Sequence, residues 1–146
     1  MTNIERSALV MFSAEQMFDL VNDVASYPQF LPGCRGAEIL QRDAETLEAR
    51  LDLSRAGISQ SFVTRNRLFR PERMDLVLVD GPFSEFSGSW TFTPLAENAC
   101  KVAFSLQFSV QNRLLGAAAG KLFSGIANQM VDAMCERAKQ IYGAES

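Results

Sequence analysis

The chain has 146 residues, 47% of them hydrophobic and 21% charged, with 14 Lys and Arg against 17 Asp and Glu for a net charge of −3. This is ordinary composition for one globular domain, 1–146, able to bury about 70% of the surface its unfolded chain exposes, and the acidic balance speaks against DNA binding or general nucleic-acid affinity. Histidine is absent, which removes Ser/His/Asp and Cys/His nucleophiles, the usual zinc chemistry and the commonest general base.

In chain order, residues 3 to 12 predict a strand with Ile4, Ala8, Val10 and Phe12 inward and Glu5, Ser7 and Met11 outward, Leu9 blurring the outer face. Ser13 and Gln16 have the spacing of a capping box, so a helix follows to about Val24 with Met17, Leu20, Val21 and Val24 on its buried side. Ser26 to Gly33 holds two prolines and a glycine, which limits it to a compact turn or short helix. From Cys34 the period changes to two for about 75 residues. Turn signals stand near Asp43, Ala56-Gly57, Arg70-Pro71, Asp80-Gly81-Pro82 and Ala96-Glu97-Asn98. That spacing predicts six further antiparallel strands. Leu47, Ala49, Leu51 and Leu53 share one face of the third strand, and Phe62, Thr64, Asn66 and Leu68 one face of the fourth. Phe86, Gly88, Trp90 and Phe92 do so in the sixth, and Cys100 through Val110 alternate in the seventh.

Gln111 to Tyr142 reads as one long helix with a broad apolar stripe that includes Leu115, Ala119, Leu122, Phe123, Ile126 and Met130. Gly116, Gly120 and Gly125 each cost roughly 1 kcal/mol against Ala in a helix interior, so each asks for a close approach or for room beside a guest. A curved seven-stranded antiparallel sheet with one wet face needs a cover, and this helix is the element long enough to supply it. The expected fold class is α+β, with the sheet gripping the terminal helix.

Several segments carry a resemblance. Ser26-Tyr27-Pro28-Gln29-Phe30-Leu31-Pro32, Ala56 to Phe62, Thr64-Arg65-Asn66, Leu78 to Phe83 and Trp90 to Leu95 resemble the coenzyme Q-binding START-like family, in the same order and spacing from about Ile4 to Tyr142. The resemblance implies a helix-grip (START/Bet v 1-like) domain with a hydrophobic cavity and binding of ubiquinone or a related polyprenyl lipid in support of respiration; relatives of the same fold include polyketide cyclases and dehydratases, but without histidine and with almost no inward carboxylate or tyrosine no catalysis is expected. For its bacterial branch of ribosome association toxins it implies binding to the large ribosomal subunit that blocks subunit association.

Taken by phase, Phe62, Leu68, Trp90, Phe92, Leu106 and Phe108 from the strands and Leu115, Leu122, Phe123, Ile126 and Met130 from the helix would line the cavity or simply fill a core. Thr64 and Asn66 point the same way and either bond neighbouring backbone or hold a ligand's carbonyl oxygens. Tyr27, Phe30, Leu31 and Phe83 either form an apolar rim in transient contact with a membrane or close the open end of the grip. Arg50, Arg65 and Arg67 fall on the solvent side as a basic stripe toward anionic lipid or ribosomal RNA, or as a solvated face.

Cys34, Cys100 and Cys135 fit reduced, buried thiols better than disulfides or a zinc site, so no metal and no cofactor beyond the lipid is expected. The chain lacks a secretory signal at its start and any run of about 18 apolar residues, which places it in the cytoplasm, with a peripheral place at the inner membrane during lipid exchange.

Overall fold

The computed structural model describes residues 2–111 and 113–143, the side chains of 113–116 excepted. Its elements follow the order β1 (Thr2–Val10), α1 (Ala14–Asn22), a 3₁₀ helix (Val24–Gln29), β2 (Cys34–Arg42), β3 (Thr46–Arg55), β4 (Ile58–Phe69), β5 (Arg73–Asp80), β6 (Phe83–Ala96), β7 (Ala99–Val110) and α2 (Arg113–Ile141). The strands form one antiparallel sheet in the order β1-β7-β6-β5-β4-β3-β2. Every hairpin from β2 to β7 therefore pairs neighbours in sequence, and β1 closes against β7 from Thr2↔Phe108 to Val10↔Cys100.

The local chemistry explains the boundaries. Ser13 Oγ accepts from the Gln16 backbone N–H while the Ser13 backbone donates to Gln16 Oε1, so the capping box starts α1 and the strand ends at Val10 instead of Phe12. Helix α1 stops at Asn22 and the chain tightens into the 3₁₀ turn containing Pro28. Gly33 leaves that turn at φ +89, where a side chain would be strained and a Cβ would stand 2.8 Å from Ile126 Cδ1. Register shifts in β2–β3, β4–β5 and β6–β7 add twist and bend the sheet.

Helix α2 is 29 residues long, about 44 Å at 1.5 Å per residue, and lies against β1 and β7 with further contacts to α1, β3 and β4. Ala119, Leu122, Phe123, Ile126, Ala127, Val131, Met134 and Ala138 are buried beneath it. Two helix glycines have different surroundings from a ligand space. Gly125 lies under Arg55, whose Nη1 would be 2.8 Å from a Cβ there, and Gly120 faces Val110 Cγ2 at 4.0 Å. Neither lines the cavity; Gly116 lies outside the described side chains, as does Leu115. On the outer face Leu9 and Met11 are 73% and 78% exposed, as their phase requires. Among the described residues no helix is long and apolar enough to cross a membrane.

Candidate functional site: an apolar cavity with two donors

Inward side chains of β3 to β7 face α2 and the 3₁₀ helix across a cavity of about 70 Å³. Of the residues expected there, Phe62, Thr64, Asn66, Trp90, Leu106, Phe108, Phe123, Ile126 and Met130 line it. Three others do not. Phe92 is buried farther along β6, edge-on to Phe18 of α1 at 5.6 Å, so it seals α1 to the sheet. Leu68, near the end of β4, packs on the core's margin, and Leu122 is buried away from the wall. Strand phase gives the correct face but not how far along the strand the cavity extends. The same phase could have added Ala49, Leu51 and Leu53 of β3 with Phe86 and Phe104, and also Met74 and Leu76 of β5, all wall residues.

One end is closed by rings. Phe83 meets Phe123 at 4.5 Å, Phe108 at 5.6 Å and Phe62 at 5.8 Å. These contacts are tilted or edge-to-face, the arrangement aromatic quadrupoles favour. Of the two readings of the rim residues, closure of the open end fits three of the four: Phe83, Tyr27 and Leu31 are buried in the wall and not on an exposed lip, because the turns carrying them fold inward over the opening. Tyr27 donates its hydroxyl to Val21 O, and burial pushes its ionisation far upward, so the phenol stays neutral. Phe30 alone of the four is half-buried outside the wall, edge-on to Tyr27 at 5.8 Å and beneath Arg137 at 5.2 Å.

The polar atoms decide what the cavity can hold. Thr64 and Asn66 are 8% and 4% exposed, and Thr64 Oγ1 donates to Asn66 Oδ1 at 3.1 Å. That bond uses the threonine's proton and an amide oxygen lone pair, leaving the amide nitrogen. Among the described residues neither Asn66 Nδ2 nor Trp90 Nε1 donates to any protein group. Among the described residues the fully enclosed side-chain atoms without partners are Asn22 Oδ1 and Arg137 Nε, so the two unpaired donors keep contact with free space, and the space both residues line is the cavity. A buried donor left unpaired costs about 1–3 kcal/mol. Among the described residues the lining contains no carboxylate, Lys or Arg, so these residues supply hydrogen-bond donors and apolar surface but no ionised acid or base.

On the outer face, the stripe Arg50, Arg65 and Arg67 is largely neutralised. Arg50 reaches Glu38 at 2.6 Å and Asp52 at 3.2 Å, and Arg65 reaches Glu48 at 2.8 Å. Strand pairing brings Glu38 and Glu48 across from residues distant in sequence, Glu38 opposite Arg50 and Glu48 opposite Arg65. Arg67 is exposed, forms no ion pair with a described carboxylate, and lies 5.8 Å from the centre of the Phe69 ring.

Residues 10–135 match the family described as polyketide cyclase/dehydrase and lipid transport. Ribosome association toxin RatA of Escherichia coli (strain K12) is 49% identical over 144 residues, 99% of this chain and 91% of that protein. The mitochondrial coenzyme Q-binding protein COQ10 homolog B of Xenopus laevis is 27% identical over 143 residues, 95% of this chain and 59% of that protein. A solved START superfamily protein from Mycobacterium smegmatis superposes with a TM-score of 0.78 at 24% identity, over 95% of this chain and 98% of that one, a likeness of fold.

Proposed function

The chain belongs to the polyketide cyclase/dehydrase and lipid transport family, with a START-like helix-grip fold, and on that premise we propose that it is a ribosome association toxin of the RatA type, binding the large ribosomal subunit and blocking its union with the small one. The observation that carries this reading is collinear identity of 49% across nearly the whole of both chains. The cavity agrees with a role for the outer surface: about 70 Å³ is well below the roughly 300–1,000 Å³ of pockets that enclose drug-sized ligands. Exposed Arg67 on β4 is the member of the basic stripe available to phosphate, since Arg50 and Arg65 already face carboxylates. Purified protein mixed with isolated large subunits should sediment with them in a sucrose gradient and lower the yield of joined ribosomes when small subunits are added. Protein remaining at the top of the gradient at every ratio would overturn the reading.

A second reading is favoured by the cavity lining, which combines apolar walls with unpaired donors: binding of ubiquinone or a related polyprenyl lipid, without catalysis. The coenzyme Q-binding relative supports it at lower identity. Loading would require the grip to widen, because a polyprenyl tail of tens of carbons far exceeds the closed space. Organic extraction of detergent-free protein followed by mass spectrometry tests it: co-purifying quinone supports lipid carriage, and consistently empty protein that also fails to take up added quinone removes it.

A further inference from the structure

We infer that Asn66 and Trp90 form a two-donor site for the ring of a compact, uncharged dione, gripping acceptor oxygens on opposite edges of that ring. The inference rests on the lipid-binding reading and adds which part of the ligand enters and which atoms hold it. Asn66 pairs with Leu76 across β4–β5, and Trp90 pairs with Met74 across β5–β6. The two residues are thus separated by one strand and offset by two positions, about 12 Å between their Cα atoms. A ring with two opposed carbonyls, hydrogen-bonded at both ends, spans a distance of the same order.

The hydrogen-bonding pattern sets the class. The Asn66 oxygen is already engaged by Thr64, and the Tyr27 hydroxyl by Val21 O. Asn66 Nδ2 and Trp90 Nε1, in contrast, have no acceptor among the described residues. A matching ligand brings acceptor oxygens without bringing charge, since no ionised side chain among the described residues lines the wall to balance one. The indole N–H lies in the ring plane, so a guest accepting from Trp90 Nε1 meets the indole edge-on, while the stack on Phe104, 4.5 Å between centroids, holds that edge in place. Space favours the ring over the tail: a ring with small substituents needs only side-chain rotation at half-buried wall residues such as Phe86 and Met130, whereas a long tail needs the domain to open.

The test compares two tetramethylated rings that differ only in their oxygens, duroquinone and durene, by equilibrium dialysis with the full chain. Duroquinone is fully substituted and does not alkylate the cysteines. The site requires duroquinone to bind at least about tenfold more tightly than durene, one hydrogen bond's worth of discrimination or more. That preference should vanish in the double variant Thr64→Val/Asn66→Leu and shrink in Trp90→Phe. The double variant replaces both members of a buried hydrogen-bonded pair with apolar groups of similar shape, so it should still fold, with an unchanged circular dichroism spectrum and a Tm no lower than that of the parent. Equal affinity for the two rings, or a preference that survives in both folded variants, would overturn the two-donor site while leaving an apolar lipid cavity intact. Failure of the parent protein to bind either ring would overturn the lipid reading and this inference together.

Discussion

Arg55 shows how a single side chain can account for a glycine that composition alone leaves unexplained. Its guanidinium covers Gly125, donates to Gln129 Oε1 at 2.8 Å and reaches Pro32 O at 3.5 Å, so the β3–β4 turn, the loop before β2 and α2 meet there. Gly125→Ala should gain roughly 1 kcal/mol of helix propensity but displace a flexible cation. In an Arg55→Ala background the same substitution should show the full gain, and the difference between backgrounds, read by urea unfolding of all four proteins, measures the clash. Identical gains would mean that Arg55 does not explain the glycine. Cys34 offers a second residue-level prediction, through pH. Burial pushes its thiol from 9.0 up to about 11. The folded state keeps a proton that the unfolded chain loses near its ordinary value, so this contribution is fully present below about pH 9 and lost as pH rises toward 11. Cys34→Ala should flatten the fall in unfolding free energy between about pH 8 and about pH 10.5; an unchanged slope would assign the alkaline instability to other groups.

At the scale of elements, the sequence was most informative where one local rule governs. Ser13 and Gln16 predict the start of α1 because a capping box needs only side chains and backbone three residues apart. Ser13→Ala should therefore cost about 1 kcal/mol, seen as a lower Tm with native circular dichroism, while Gln16→Ala should cost less because it removes only the reciprocal bond. Period-two alternation likewise revealed all seven strands, and the inward faces of all but β2 and β5, including Thr64 and Asn66. The ends of the cavity were not legible. Whether Phe92 or Phe86 borders free space depends on where α1 and the aromatic cluster sit along β6, a tertiary fact with no local signal. The choice between an exposed rim and a closed end stayed open for a related reason: proline and glycine announce the turns at Tyr27 and Phe83, but not that these turns fold inward. Which reading of the arginine stripe holds was also hidden, because only the register places Glu38 and Glu48 opposite Arg50 and Arg65.

For the whole molecule, the two proposed activities meet on one strand. In β4, Asn66 faces the cavity and Arg67 faces solvent, so a lipid and a ribosome would engage opposite sides of the same backbone. Whether occupancy of one side changes the other depends on which part yields when the cavity widens. Strand β4 is central, paired with β3 from Ile58 to Arg67 and with β5 from Val63 to Phe69, so moving it would break ladders on both sides. Helix α2 and the 3₁₀ turn are held to the grip by side-chain packing and by exposed bonds such as Arg6 to Asn128 and Arg137 to Gln29, which are easier to displace. Widening should move α2 and leave the outer face of β4 in place. Saturating duroquinone should accordingly leave sedimentation with large subunits unchanged, whereas Arg67→Glu should weaken it several-fold at low salt and progressively less as salt screens the contact. Weaker sedimentation on adding duroquinone would show that the sheet itself yields. An Arg67→Glu protein that sediments normally at low salt would move the ribosome-binding surface off β4.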